Sequence, residues 1–308
     1  MASLTTRPFV PGDVNLLLAF ARAVRPRERI ADYPSVSDLP DLLKLVPTQR
    51  TARLWLDEHG QLIAFAFVDA FQTLRFDLDW PKATPALEAA IVRWAAGCLQ
   101  KGAEGTVEWP VLYATCHEAD TRRFEALRRQ GFALLDDCVL HMIRPLDAPV
   151  AEPILPPGFA IRPLAGEQEA TEVALLHRMA FGTPHITAER RLAMMRAPHY
   201  DPSLDLVVVA PSGELAAYGM GSVSPQENEL TGRNDCYADL FATHPAYRGL
   251  GLAQALMLSI LRLLQGRGYE NARLSTASEN LAMQRAAACA GFRRESATLR
   301  LRHLGPSG

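Results

Sequence analysis

Thr243-His244-Pro245-Ala246-Tyr247-Arg248-Gly249-Leu250-Gly251-Leu252-Ala253 is a glycine-bearing turn between two apolar runs. Tyr237 to Thr243 precedes it. Leu250 to Leu264 follows, with Leu252, Leu256, Ile260 and Leu263 recurring at helical spacing on one side. The pattern predicts a strand, a tight turn and a helix. Gly249 and Gly251 have no Cβ atom, so the backbone there can take unusual dihedrals and approach a ligand closely. The first N–H groups of a helix have no partner inside it, and with the positive end of the helix dipole they form an anion site. Arg248 adds a permanent charge whose forked donors suit phosphate. Two other phosphate-binding patterns are excluded. No Lys-Ser or Lys-Thr follows the glycines, as a P-loop needs. Nor do the glycines have GxGxxG spacing.

Outward from the turn, the second half alternates strands and helices. Phe159-Ala160-Ile161-Arg162 starts a strand and Gln168 to Phe181 a helix. Leu206 to Ala210 and Leu215 to Val223 are strands around the turn Pro211-Ser212-Gly213. Arg273 to Ala277 is a strand, and Leu281 to Cys289 a helix that stops before Gly291. The first half runs in the same order. Leu54 to Val68 reads as a strand pair, Leu74 to Leu78 as a strand and Leu87 to Leu99 as a helix. Val111 to Thr115 and Arg122 to Arg129 complete it. Arg7-Pro8-Phe9, Gly60 to Phe65 and Gln130-Gly131-Phe132 reappear as Arg162-Pro163-Leu164, Gly213 to Tyr218 and Ala290-Gly291-Phe292. Three matches in one order, at nearly constant separation, point to a duplicated unit. Asp147 to Gly158 carries Pro149, Pro153, Pro156 and Pro157, the composition of an extended connector. The expected division is therefore a domain over 1–148, a proline-rich linker over 149–158 and a domain over 159–308, in an α+β fold class.

Composition narrows the function. The chain has 308 residues, 48% of them hydrophobic and 21% charged, which excludes a disordered protein. A net charge of −2 gives no electrostatic case for nucleic acid. No apolar run is long enough to span a membrane, and Met1 to Thr6 lacks a signal-peptide core. Cys98, Cys116, Cys138, Cys236 and Cys289 are odd in number and without CxxC spacing. They read as reduced thiols of a cytoplasmic protein with no metal site. His177, His185 and His199 match no metal-ligand spacing. Trp55, Trp80, Trp94 and Trp109 all fall in the first half, as core residues.

Arg248, Gly251 and Ala253 fill the pattern Arg-x-x-Gly-x-Ala. Pro245, Tyr247-Arg248-Gly249, Asn280 and Gly291-Phe292 extend it. From about Phe159 to His303 the chain resembles the GNAT superfamily of N-acetyltransferases. The first half resembles that fold in element order only, a layout shared by tandem members. The resemblance implies two tandem GNAT-like domains, each a mixed, mostly antiparallel sheet flanked by helices. It implies acetyl-CoA as cosubstrate and no metal. Phe241, Ala242 and Thr243 would expose backbone groups to the pantetheine arm. Arg248, Gly249, Leu250, Gly251, Leu252 and Ala253 would hold the pyrophosphate. Asn280 would contact the cofactor, or cap the following helix, for which Asn is favoured.

An amine acceptor has to lose a proton before it attacks the thioester directly. Asp239 lies on the strand before the turn, and simple alternation puts it on the face of Phe241 and Thr243. It is the expected base; its competing reading is a strand-end carboxylate in a salt bridge. His244 is the rival base. Many family members place a tyrosine, acid to the departing thiolate, where this chain has Ala287. Cys289 is a poor substitute, because cysteine is commonly core. A second function class therefore stands beside a small-molecule amine acetyltransferase, namely a non-catalytic acyl-CoA sensor or scaffold. In the first half, Asp79 to Leu87 has no glycine and Pro85 removes a donor. Asp120 stands where Asn280 stands in the second half and would repel a phosphate. One acetyl-CoA per chain is the expectation.

Overall fold

The computed structural model describes residues 4–100, 111–183 and 186–303. Trp109 and His185 lie outside the described residues. In chain order the elements are β1 (Thr5–Pro8), α1 (Val14–Val24), α2 (Leu39–Lys44), α3 (Val46–Arg50), β2 (Ala52–Leu56), β3 (Leu62–Val68), β4 (Thr73–Leu78), α4 (Pro85–Gln100), β5 (Tyr113–His117), α5 (Thr121–Arg129) and β6 (Phe132–Pro145). The order then repeats as β7 (Ala160–Pro163), α6 (Ala170–Phe181), α7 (Ala188–Met195), β8 (Asp205–Val209), β9 (Leu215–Ser222), α8 (Pro225–Thr231), β10 (Asp235–Thr243), α9 (Leu252–Gly266), β11 (Asn271–Ala277), α10 (Leu281–Cys289) and β12 (Arg293–His303). The repeat matches the duplication read from the sequence, except that three helices stand between β1 and β2 where two stand between β7 and β8, and that α8 is an addition to the second copy.

The chain forms two compact units that interleave in sequence. One holds residues 1–139, 229–232 and 297–308; the other holds 140–228 and 233–296. This differs from a division at a linker over 149–158. In the first unit β1, β2, β3 and β4 pair antiparallel in turn and β4 pairs parallel with β5. The end of β12 then closes the sheet against β5, with Thr298 opposite His117 and Arg302 opposite Tyr113. A strand from the end of the chain thus satisfies an edge in the first unit, the reason the boundary is not linear. In the second unit β7, β8, β9 and β10 pair antiparallel in turn and β10 pairs parallel with β11. The last residues of β6 belong to this unit, and Leu146 N–H bonds the carbonyl of Glu270, 2.8 Å away.

Each face of the second sheet has its own core. Cys236, Ala238 and Phe241 of β10 pack with Leu256, Ile260 and Leu264 of α9, and with Ala287 of α10. On the other face Val207, Tyr218 and Ala242 pack under Val173 and Leu176 of α6. α9 buries a wider band than a single stripe: Leu252, Leu256, Met257, Ile260, Leu261 and Leu264 are buried. Each such leucine contributes about 2 kcal/mol. Leu263, expected on the inner side, is 40% exposed. It lies too far round the helix, and Leu261 and Leu264 fill its place. In the first unit Trp55 is buried and packs edge-on against Trp94 at 5.3 Å, while Trp80 is partly exposed.

Candidate active site

The turn before α9 is built by its glycines. His244 opens a single helical turn, Pro245–Tyr247, by accepting at Nδ1 from the N–H of Ala246, 3.1 Å away. Gly249 and Gly251 follow with φ of +81° and +74°, the left-handed region that side chains resist. A Cβ at either would meet no atom within 4 Å, so the demand is on dihedral angle and leaves open space around the backbone. Gly251 is the N-cap of the 15-residue α9. Arg248, Gly249, Leu250 and Gly251 are exposed, whereas Leu252 is buried and anchors the helix. Arg248 spends one nitrogen, Nη2, on the carbonyl of Ala180 at the end of α6, 2.7 Å away.

Strand β10 carries an irregularity that decides which groups meet. Asp239 is opposite Met220 and Ala242 is opposite Tyr218, so β10 uses three steps where β9 uses two. Leu240 is the extra residue, with φ +57° and 38% exposure. The bulge breaks the simple alternation. Phe241 stays on the α9 face with Cys236 and Ala238, while Asp239 shares the opposite face with Ala242. Asp239 and Phe241 are therefore on different faces, contrary to the expectation from strict alternation. Phe241 needs the space at Gly219: a Cβ there would lie 2.5 Å from its ring.

β10 and β11 pair only from Asp235–Asn271 to Tyr237–Arg273. Beyond that point the Asp239 side chain accepts from the N–H of Ser275. Its carboxylate takes over where the backbone ladder stops. Burial raises its pKa to about 6, although the Ser275 N–H pulls the other way. Asp239 is not in a salt bridge among the described residues. Ser275 drew no attention in the sequence; its partner depends on a register visible only in the paired strands. On the β11 side, the backbone of Phe241, Ala242 and Thr243 lies past the end of the ladder. On the β9 side, Ala242 and Thr243 pair with Tyr218 and Ala217.

Other expected residues have clear places. The Asn280 side chain caps α10 by accepting from the Met283 N–H, 3.1 Å away. Ala287 is fully buried in the core, with no proton to give. Cys289 is exposed rather than core, and none of the five cysteines is in a disulfide among the described residues. His177 bonds the hydroxyl of Tyr218, and burial lowers its pKa. On the same face Arg191 pairs with Asp205, which also accepts from the Tyr200 hydroxyl at 2.6 Å. Among the described residues no group of three or more His, Cys, Asp or Glu could hold a metal, and no helix is long and apolar enough to cross a membrane.

The first unit differs at the matching place. Its turn is a short helical segment, Trp80–Lys82, and α4 starts at Pro85. A cavity of about 50 Å³ lies by the separated ends of β4 and β5. Its arginines are committed to carboxylates: Arg25 to Asp77, Arg75 to Asp69 and Arg29 to Asp120. Asp120 caps α5 and is paired with Arg29 at 2.5 Å. Its charge is thus compensated, so repulsion by Asp120 is weaker than the sequence implied.

Residues 172–292 match the family model described as the acetyltransferase (GNAT) family. No curated protein matches the sequence. A GCN5-related N-acetyltransferase from Sphaerobacter thermophilus is similar in structure, with a TM-score of 0.74 at 20% identity over 97% of this chain and 95% of its own. A tandem GNAT protein from the clavulanic acid biosynthesis pathway gives 0.73 at 19% identity over 99% of this chain and 100% of its own. A GNAT-family acetyltransferase from Colwellia psychrerythraea gives 0.65 at 14% identity, over 98% and 100%. At these identities the likeness is one of fold, and all three matches span almost the whole of both chains.

Proposed function

We propose that residues 172–292, which match the acetyltransferase (GNAT) family model within a tandem GNAT fold, pass the acetyl group of acetyl-CoA to a primary amine of a small molecule by direct attack. One observation carries the reading. The exposed turn Arg248–Gly251, with two left-handed glycines, opens the N-terminus of α9 beside the end of the β10–β11 ladder. Backbone donors, a helix dipole and a guanidinium converge there, a combination that suits a pyrophosphate.

When bound, acetyl-CoA supplies an electrophilic thioester carbon and a leaving thiolate with a pKa of about 8.5. The chain's part is to position and to move protons. Arg248, held at Ala180, keeps its remaining donors for phosphate. Asn280 is committed to capping α10, and its support for cofactor binding is through that helix. Asp239, with a pKa near 6, is ionised at neutral pH and is a stronger base than an ordinary carboxylate. It can take the proton of an ammonium and pass it to water. His244 is the weaker candidate because its Nδ1 already holds the Ala246 N–H.

A non-catalytic acyl-CoA sensor is the second reading, and Ala287 favours it, since the usual proton donor is missing. Thiol release from acetyl-CoA across a library of small amines separates the two. Turnover with any amine above the hydrolysis rate supports the transferase. Tight acetyl-CoA binding with no amine-dependent release would favour the sensor.

A further inference from the structure

β11 presents more than one group to the open face. Ala272 and Leu274 point into the core under α9, so Arg273 and Ser275 point the other way, with Asp239. On β6, Met142 is in that same core, which leaves His141 on the face of Ser275. His141 Nδ1 and Ser275 Oγ are 3.0 Å apart. Ser275 is exposed and His141 half-buried, so the pair is open to an incoming molecule. Ser275 therefore joins two groups. Its N–H holds the Asp239 carboxylate, and its hydroxyl is bonded to an imidazole.

Resting on the reading of the second half as an acetyltransferase, we propose that Ser275 is the proton donor to the departing thiolate, resupplied by His141, in place of the donor that Ala287 cannot be. The attacking nitrogen and the leaving sulfur are bonded to one carbon at the moment of transfer. The base and the acid must therefore lie close together, as Asp239 and Ser275 do. The nitrogen lone pair forms the C–N bond, and the C–S bond breaks with its electron pair on sulfur. The ammonium gives up two protons in all, through Asp239 and water. Sulfur takes the Ser275 hydroxyl proton, Ser275 recovers one from the His141 imidazolium, and His141 regains one from water. The net release is one proton. Charged and titratable groups on the neighbouring strands include Asp239 and Tyr237 of β10, the latter bonded to Glu227 of α8, and Arg273 of β11, paired with Asp235 and Glu295. Arg273 is thus occupied, and a mobile proton on this floor falls to His141 and Ser275.

The test uses CoA bound to the full chain, with its thiol titrated by ultraviolet absorbance of the thiolate. A hydroxyl donating to sulfur favours the thiolate and lowers the thiol pKa. Ser275→Ala should raise the midpoint by about half a unit or more, His141→Gln by less, and Ser275→Thr should restore it. CoA affinity near pH 6, by calorimetry, should stay within about twofold across the set, since thiol ionisation contributes little there. Ser275 is exposed, so the variants keep the fold. Equal midpoints in CoA-bound wild type and Ser275→Ala would overturn this inference alone. Failure of the wild-type chain to bind CoA would overturn the acetyltransferase reading, and this inference with it.

Discussion

Arg248 Nη2 donates to the carbonyl of Ala180 across 2.7 Å, and so ties the glycine turn before α9 to the last turn of α6. The guanidinium is held in place before any ligand arrives. Orientation in advance reduces the ordering cost of binding. Arg248→Glu removes this tie, deletes one charge and adds another of the wrong sign. Acetyl-CoA affinity should fall at least about tenfold, or 1.4 kcal/mol, in isothermal calorimetry. Unchanged affinity in a folded variant would remove the phosphate role from this turn.

Asp239→Asn should lower turnover about a hundredfold with little change in acetyl-CoA affinity. Wild-type turnover should rise with pH through about 6, where Asp239 ionises, and the Asn variant should lack that rise. Stability gives an independent check. The folded-state pKa is above the ordinary value of 3.8, so the fold favours the protonated form. Wild type therefore loses stability as pH rises between those values. The variant should melt higher than wild type above about pH 6 and match it below about pH 4. An identical difference at both pH values would show that ionisation of Asp239 is not responsible.

How much of this site the sequence discloses depends on whether the signal is local. Gly249 and Gly251 announce their turn because glycine is the residue that takes left-handed angles freely. The face of Asp239 is hidden because the bulge falls on Leu240, a residue that rarely takes φ +57° and leaves no compositional mark. His141 and Ser275 are separated in sequence and meet only through strand packing. The end of β12 pairs with β5, a long-range contact to which periodicity is blind. α8 is a short polar segment without apolar spacing, so no periodicity marks it.

Gly219→Ala should destabilise the protein by about 1–3 kcal/mol in denaturant unfolding, since overpacking displaces neighbours. The new Cβ would lie 2.5 Å from the Phe241 ring, directly after the bulge. Phe241→Leu in the same chain should recover part of the loss. No recovery would mean that the strain lies elsewhere on β9.

Arg191→Ala should cost about 3–5 kcal/mol, because it leaves the Asp205 carboxylate buried without its charge partner. Asp205 is fully buried and Arg191 only 4% exposed. Chemical denaturation measures the loss. A change below about 1 kcal/mol would show that Tyr200 alone satisfies Asp205.

The arginines lining the first unit's cavity, Arg25, Arg29 and Arg75, are paired with its own carboxylates, and its turn has no glycine; the second unit has the open glycine turn. Titration of the intact chain with acetyl-CoA by isothermal calorimetry tests that division most directly. One molecule should bind per chain, with the signal lost in Arg248→Glu. A stoichiometry of two, or one site that survives Arg248→Glu undiminished, would contradict it.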